Sequence, residues 1–404
     1  MNTAPPSRAG LVAALVLVAA LVLVAVLPAS AHAADADLGV AATQVSEGWV
    51  VARGGARTGS VYLDHQHVEL DVADAHFAGS QSLGAHLGIA GGNGGCASCL
   101  SGDAQGVSNI EGIGSWRLYE LWLDWIPGGD TGWRAGLYDL NSEFDSIETV
   151  GLFINSSHGV GPTLGLSGLN GPSIFPVTAL ALRVQQARDG HWWQIAALDA
   201  VPGTPEDPDH PALHLGGSDG ALLVAEAGRG GADTVRYGLG AWQYTGAFAP
   251  LDAAAPDARG RDNRGAYAFI ELPGSEARRL AAFARLGLAA SRYNTADRFV
   301  AAGLVLSRIL PARPDDQAGL AVAIMHQGRA ARRAARAADT PIPILEANVE
   351  LTYRAALGQW LAVQPTLQYV RHPGASSAYR DALVLALRLE LSASWAVRQA
   401  RAGQ

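Results

Sequence analysis

The chain has no lysine, so its 29 Lys and Arg positions are all arginine. Base composition accounts for that better than chemistry does. A formal net charge of −8, with no basic cluster beyond Arg329 to Arg336, excludes a nucleic-acid surface, which needs a positive stripe. Arg329 to Arg336 itself reads as a solvated loop face. Cysteine is almost missing, with only Cys96 and Cys99 in Gly94-Gly95-Cys96-Ala97-Ser98-Cys99. A single C-x-x-C lacks the second pair of a structural zinc site and has no βαβ surroundings of a redox motif. In an oxidising compartment it predicts a small loop disulfide, and no metal or other cofactor is expected. No Pro/Ser-rich linker or charge run divides the chain, which argues for one large domain. After Leu27 no run of 18 apolar residues occurs, which excludes a transmembrane helix in that part of the chain.

What is present at the start is an export signal. Residues Leu11 to Leu27 form an apolar run behind Arg8, followed by Pro28-Ala29-Ser30 and the small-residue pattern Ala31-His32-Ala33. This predicts a signal peptide over residues 1–33, with the mature chain opening near Ala34.

The rest is dominated by period-two alternation. In Leu345 to Leu357 the positions Leu345, Ala347, Val349, Leu351, Tyr353, Ala355 and Leu357 form one face; Glu346, Asn348, Glu350, Thr352 and Arg354 lie on the other. Such a segment is longer than the typical strand of about 5–6 residues in a soluble sheet. It matches the ~9–11 residues of a tilted strand with lipid on one side and water on the other. Alternation recurs in sixteen segments between Leu38 and Leu391, and short connections alternate with long ones such as Gly91 to Ser115 and Leu140 to Pro176. The expected fold is all-β: a transmembrane antiparallel up-and-down barrel of about sixteen strands over 34–391, with a tail at 392–404. An even count returns both ends of the barrel to the short-turn side, and a barrel of this size leaves an aqueous channel.

Alternation also assigns facing. Glu120, Trp122, Asp124, Arg134, Tyr138, Arg183, Arg236, Trp242, Tyr244, Glu350, Arg354, Gln364, Gln368, Arg388 and Glu390 point to the lumen. Leu121, Leu137, Leu239 and Leu351 point to lipid, as do Tyr119, Leu123 and Trp125, whose aromatics suit an interface girdle. Pro365 falls mid-strand on the lipid side, where a bulge is expected. The connection Leu140 to Pro176 carries Asn141, Glu143, Asp145, Asn155 and Asn170. It also holds Ile154, Leu164, Leu166, Leu169, Ile174 and Phe175, which need burial; folding inward to narrow the pore provides it.

Several stretches carry a likeness to a family: Gln105 to Glu111, Arg117 to Trp122, Arg134 to Asp145 and Gly151 to Ser157, then Asn170 to Pro176, Arg313 to Gly319 and Gln364 to Val370. Together they resemble the OprB-type carbohydrate-selective porins of Gram-negative outer membranes. The resemblance covers nearly all of the mature chain and implies passive diffusion of small sugars through a sixteen-stranded barrel set in outer-membrane lipid. Whether the barrel works as a monomer or a homo-oligomer is left open. On that reading Trp122, Trp242 and Tyr244 are either stacking platforms for sugar rings or interface aromatics, and the lumen arginines either hydrogen-bond sugars or brace the wall. A barrel enzyme is the rival class; Ser156-Ser157-His158 offers hydroxyls and an imidazole, but adjacent residues rarely form a nucleophile and base. A secreted soluble sugar-binding β protein is the other.

Overall fold

The computed structural model describes residues 37–77, 81–112, 114–203, 220–231, 234–252, 259–340 and 342–398. The apolar run and its expected cleavage site lie outside these residues. Sixteen strands follow one another: β1 Asp37–Gly55, β2 Gly59–Phe77, β3 Gln81–Gly92, β4 Arg117–Ile126, β5 Thr131–Tyr138, β6 Ala179–Arg188, β7 His191–Asp199 and β8 Ala221–Arg229. The second half is β9 Arg236–Tyr244, β10 Arg264–Leu272, β11 Leu280–Ala289, β12 Ala296–Ser307, β13 Gln317–Gln327, β14 Leu345–Ala356, β15 Leu361–Arg371 and β16 Arg380–Arg398. Each strand pairs with its sequence neighbours, and β1 pairs antiparallel with β16 to close the barrel. Closure leaves no edge strand, the requirement for a sheet surrounded by hydrocarbon.

Alternation sets the two faces. Leu239 and Leu351 stand outward, 65% and 52% exposed, among a belt that includes Leu286, Val300, Leu304 and Leu320. The facing of β4 holds for Leu123 and Trp125 but fails at Tyr119. There the β3–β4 register slips between Gly88 and Ile89, so that Glu120 pairs with Gly88 and Leu118 with Ile89. Tyr119 is the extra residue of a β-bulge. It turns inward, buried, with its hydroxyl donating to Asp139 and its ring edge-on to His67 and Phe175. Leu137, at the end of β5, is covered rather than exposed.

Three further expectations change. Pro365 sits outward in β15 with no register shift; pairing with β14 passes from Thr352–Thr366 to Ala355–Val363, and the gap between them is where the missing N–H would donate. β16 does not stop at Leu391 but runs to Arg398, because β1 reaches back to Asp37 and offers a ladder over that whole length. Arg329–Ala337, expected as loop, is a nine-residue helix.

The apolar core does not lie between sheets but inside the barrel. Phe144, Ile147, Val150, Leu152, Phe153 and Leu164, all from the β5–β6 connection, pack against the inner wall of β7 to β13, where Leu198, Val224, Tyr267, Phe269, Phe283 and Phe299 face in. A smaller cluster joins Val107 and Leu100 of the β3–β4 connection to Trp49, Val370 and Val384. The lumen is therefore less uniformly charged than alternation suggested, since much of its wall is a seat for two inward-folded segments. The β3–β4 connection also carries the disulfide between Cys96 and Cys99.

Single cysteines test the facing in a variant lacking Cys96 and Cys99. At Arg354 and Glu390 they should react with a charged thiol reagent in liposomes, and at Leu239 and Leu351 they should stay unlabelled. An inverted pattern would sink the assignment, since arginine facing lipid near mid-bilayer costs about 2–4 kcal/mol.

Candidate functional site

The geometry inside the barrel is governed by wall carboxylates that receive backbone N–H groups from the two inward segments. Glu350 Oε1 and Oε2 accept from Ile154 and Asn155 at 2.7 and 2.9 Å. Glu271 accepts from the N–H and hydroxyl of Thr149 at 2.6 and 2.7 Å, and Glu226 accepts from Asp145 N–H at 2.8 Å. Glu346 takes Ala104 and Gln105 at 2.9 and 3.0 Å. Arg285 supplies the converse grip, donating to the carbonyls of His158, Gly159 and Asp145 at 2.9, 3.1 and 2.5 Å. The two segments also join each other, with Ser156 N–H donating to Gly106 O at 2.8 Å.

A second group of contacts holds the start of the long segment. Glu143 accepts a two-pronged bond from Arg183 at 2.8 and 2.7 Å and a third from Tyr138 at 2.6 Å. Arg134 pairs two-pronged with Asp124, both bonds 2.8 Å, and lies 3.4 Å above the Trp122 ring, which His86 stacks from the β3 side. Glu120 accepts the N–H of Asp139 at 2.9 Å.

A family model for carbohydrate-selective porins of the OprB family matches residues 59–392. The chain belongs to that family. It is 26% identical over 329 residues to Porin B of Pseudomonas aeruginosa, covering 72% of this chain and 71% of that protein. Its fold is similar to the high-pH structure of Pseudomonas putida OprB, with a TM-score of 0.76 at 21% identity over 88% of this chain and 94% of that one. The outer membrane channel DcaP of Acinetobacter baumannii gives 0.60 at 12% identity over 89% and 97%. The chain is thus an outer-membrane sugar porin.

In this porin the residues expected to line the channel divide into two sets. Trp242 and Tyr244 point inward but are sealed under the loop, Tyr244 sharing a hydrogen bond with Ser167 at 3.1 Å. Tyr138, Arg183, Glu350, Gln364 and Gln368 are likewise covered, the two glutamines donating to Leu152 and Val107 carbonyls at 2.7 and 2.8 Å. Arg388 is braced by Glu47 at 2.6 Å and Asn109 at 2.5 Å. These residues fail to reach the open bore because the inward segments cover them: segment backbone takes the polar groups of Glu350, Gln364 and Gln368, and segment side chains take those of Tyr138, Arg183 and Tyr244. The partly exposed set is Asp124, Arg134, Arg236, Arg354 and Glu390.

The loop residues behave as staples. Asn141 donates to Phe144 and Gly159 carbonyls, both 3.2 Å, Asp145 accepts Gly161 N–H at 2.8 Å, and Asn170 donates to Pro202. Asn155 caps the following turn by accepting Ser157 N–H at 3.1 Å. Of the apolar residues that needed cover, Ile154 and Leu164 are fully buried, while Leu166 and Leu169 remain exposed. Ser157 hydrogen-bonds Asn155 at 2.5 Å, and His158 is wedged between Phe153 and Phe283 with burial pushing its imidazole down to about 3. It bonds to neither serine, so nothing here resembles an activated nucleophile.

Glu47, Glu226, Glu271 and Arg285 were not singled out from the sequence, although the same inward alternation marks each, and Glu346 stood out only as part of the polar face of its strand. At the short-turn end the porin opens into a cavity of about 510 Å³ bordered by Glu148, Arg278, Arg308, Gln317, Arg354 and Glu390. Arg354 and Glu390 form an ion pair there at 3.0 Å.

Glu350→Ala strands two buried donors, each worth about 1–3 kcal/mol. The variant should lose about 2–5 kcal/mol of stability in denaturant melts and show noisier single-channel current, with Glu350→Gln milder. A Glu350→Ala protein that melts like the parent would remove the carboxylate from its clamping role.

Proposed function

We propose that sugars cross this porin through a bore whose cutoff is set by residues 140–176. The supporting observation is the clamp: Asp145, Thr149, Ile154 and Asn155 give their N–H groups to Glu226, Glu271 and Glu350 on three separate stretches of wall, so the segment crosses the lumen and is not a free flap. The polar groups left bordering the path are mostly paired, Asp124 with Arg134 and Arg354 with Glu390. Paired charges offer hydrogen-bond donors and acceptors side by side with little net field. That suits a neutral sugar hydroxyl, which both donates and accepts, better than it suits an ion. Trp122 contributes by holding Arg134, since both its faces are occupied by Arg134 and His86.

Deleting Asn155 to Asn170 should raise conductance and admit larger oligosaccharides in liposome swelling with graded sugars. Unchanged conductance in a folded variant counts against the segment as the limit. Arg354→Gln leaves Glu390 unpaired, so ion selectivity should move towards cations while neutral-sugar flux changes less; equal effects on both would contradict the role given to paired charges.

A further inference from the structure

On the lumen wall of β2 to β4, two imidazoles are held in the manner of metal ligands. His86 Nδ1 lies 2.7 Å from Asp71 Oδ1, and His67 Nδ1 lies 3.2 Å from Glu69 Oε1. An ionised carboxylate only accepts, so Asp71 fixes the proton of the neutral His86 ring on Nδ1 and Glu69 favours the same tautomer in His67; in the neutral rings each Nε2 is then a lone pair. Both Nε2 atoms are buried with no hydrogen-bond partner. They aim at one place: the point where a Cβ on Gly88 would stand is 3.0 Å from His67 Nε2 and 3.2 Å from His86 Nε2. Strand register brings this about, since Gly88 lies opposite Glu69 on β2 and opposite Glu120 on β4. The Glu120 carboxylate is 3.8 Å from His86 Nε2. His86 is 7% exposed and fixed by stacking on Trp122, while Asp71 and Glu69 open to the lumen.

Two lone pairs that face a common buried point without a proton between them are unfavourable unless a cation joins them. A carboxylate behind each imidazole orients the ring and raises its basicity, the arrangement found around bound transition metals. We propose that His67, His86 and Glu120 bind a divalent transition-metal ion of the Zn²⁺ or Co²⁺ type above Gly88, on the lumen wall. Imidazole and carboxylate ligands favour such ions over Ca²⁺ or Mg²⁺, which prefer all-oxygen sites. Among the described residues no three such side chains already stand at coordinating distance, so Glu120 must swing towards the two rings as the ion enters. The ion would cross-link three strands beside Tyr119 and Phe175, where the long segment returns to the wall.

The test is titration of tag-free, chelator-stripped mature protein in detergent with Co²⁺, read by visible absorption, followed by displacement with Zn²⁺. One Co²⁺ per chain is expected, and removal of a ligand in His67→Ala or His86→Ala should abolish saturable binding. Asp71→Ala, which removes a positioning residue, should weaken it about 10–100-fold. Gly88→Ala keeps every ligand but fills the space between the nitrogens, and should also weaken binding; His326→Ala, on β13, should not. Circular dichroism of each variant establishes that the barrel is folded. Absence of saturable binding in the parent, or binding indifferent to both His67→Ala and Gly88→Ala, overturns the proposal.

Discussion

A carboxylate shut away from water must be given hydrogen-bond donors, and a backbone folded into a protein interior must give its N–H groups acceptors. Inside this barrel the two demands meet. Glu226, Glu271, Glu346 and Glu350 project from the wall into space the inward segments occupy, and the N–H groups of those segments are what they find. Without the segments the carboxylates would face water in a wide lumen; without the carboxylates the buried segments would carry amides with no acceptor, each costly to leave unpaired. Because strand register sets the height of each carboxylate, the position of the segment across the lumen is inherited from the barrel ladder.

Apolar packing then decides which side of the lumen is filled. Phe144, Phe153 and Leu164 lie against the β7 to β13 wall, and Val107 and Leu100 against β1, β15 and β16. Water-accessible polar groups remain on β4 and β5 and around the Arg354–Glu390 pair. A porin lumen is usually pictured as a wet tube with a loop laid over it. Here most of the inner wall is protein interior, and the bore is what two segments leave unoccupied.

Alternation made the barrel legible, because lipid outside and water or loop inside impose the same period on every strand. All sixteen segments became strands, and the inward direction of Arg134, Arg183, Arg236 and Arg354 follows from it. It could not show the bulge at Tyr119, which depends on how β4 meets β3. Nor could it separate a lumen residue that meets water from one that meets loop, and so Trp242 and Tyr244 looked available to a sugar although they are sealed. The His67 and His86 pair was hidden for a similar reason: the residues are far apart in sequence, and only the β2–β3 register places both rings over Gly88.

The seat of the loop is written partly in residues that have no side chain. Gly319 on β13 faces in, and a Cβ there would stand 2.8 Å from both Leu152 and Phe153 of the long segment. Gly287 on β11 lies beneath Thr163 in the same way. In a strand an inward glycine weakens the ladder slightly and packs nothing of its own, so its presence signals that another backbone or side chain comes close. Charged residues on the wall specify where the segment is held, whereas glycines specify how near it can come. The two together fix where the segment lies against the wall more tightly than the length of the loop does, which is why a long, weakly charged connection can take one defined seat inside the barrel.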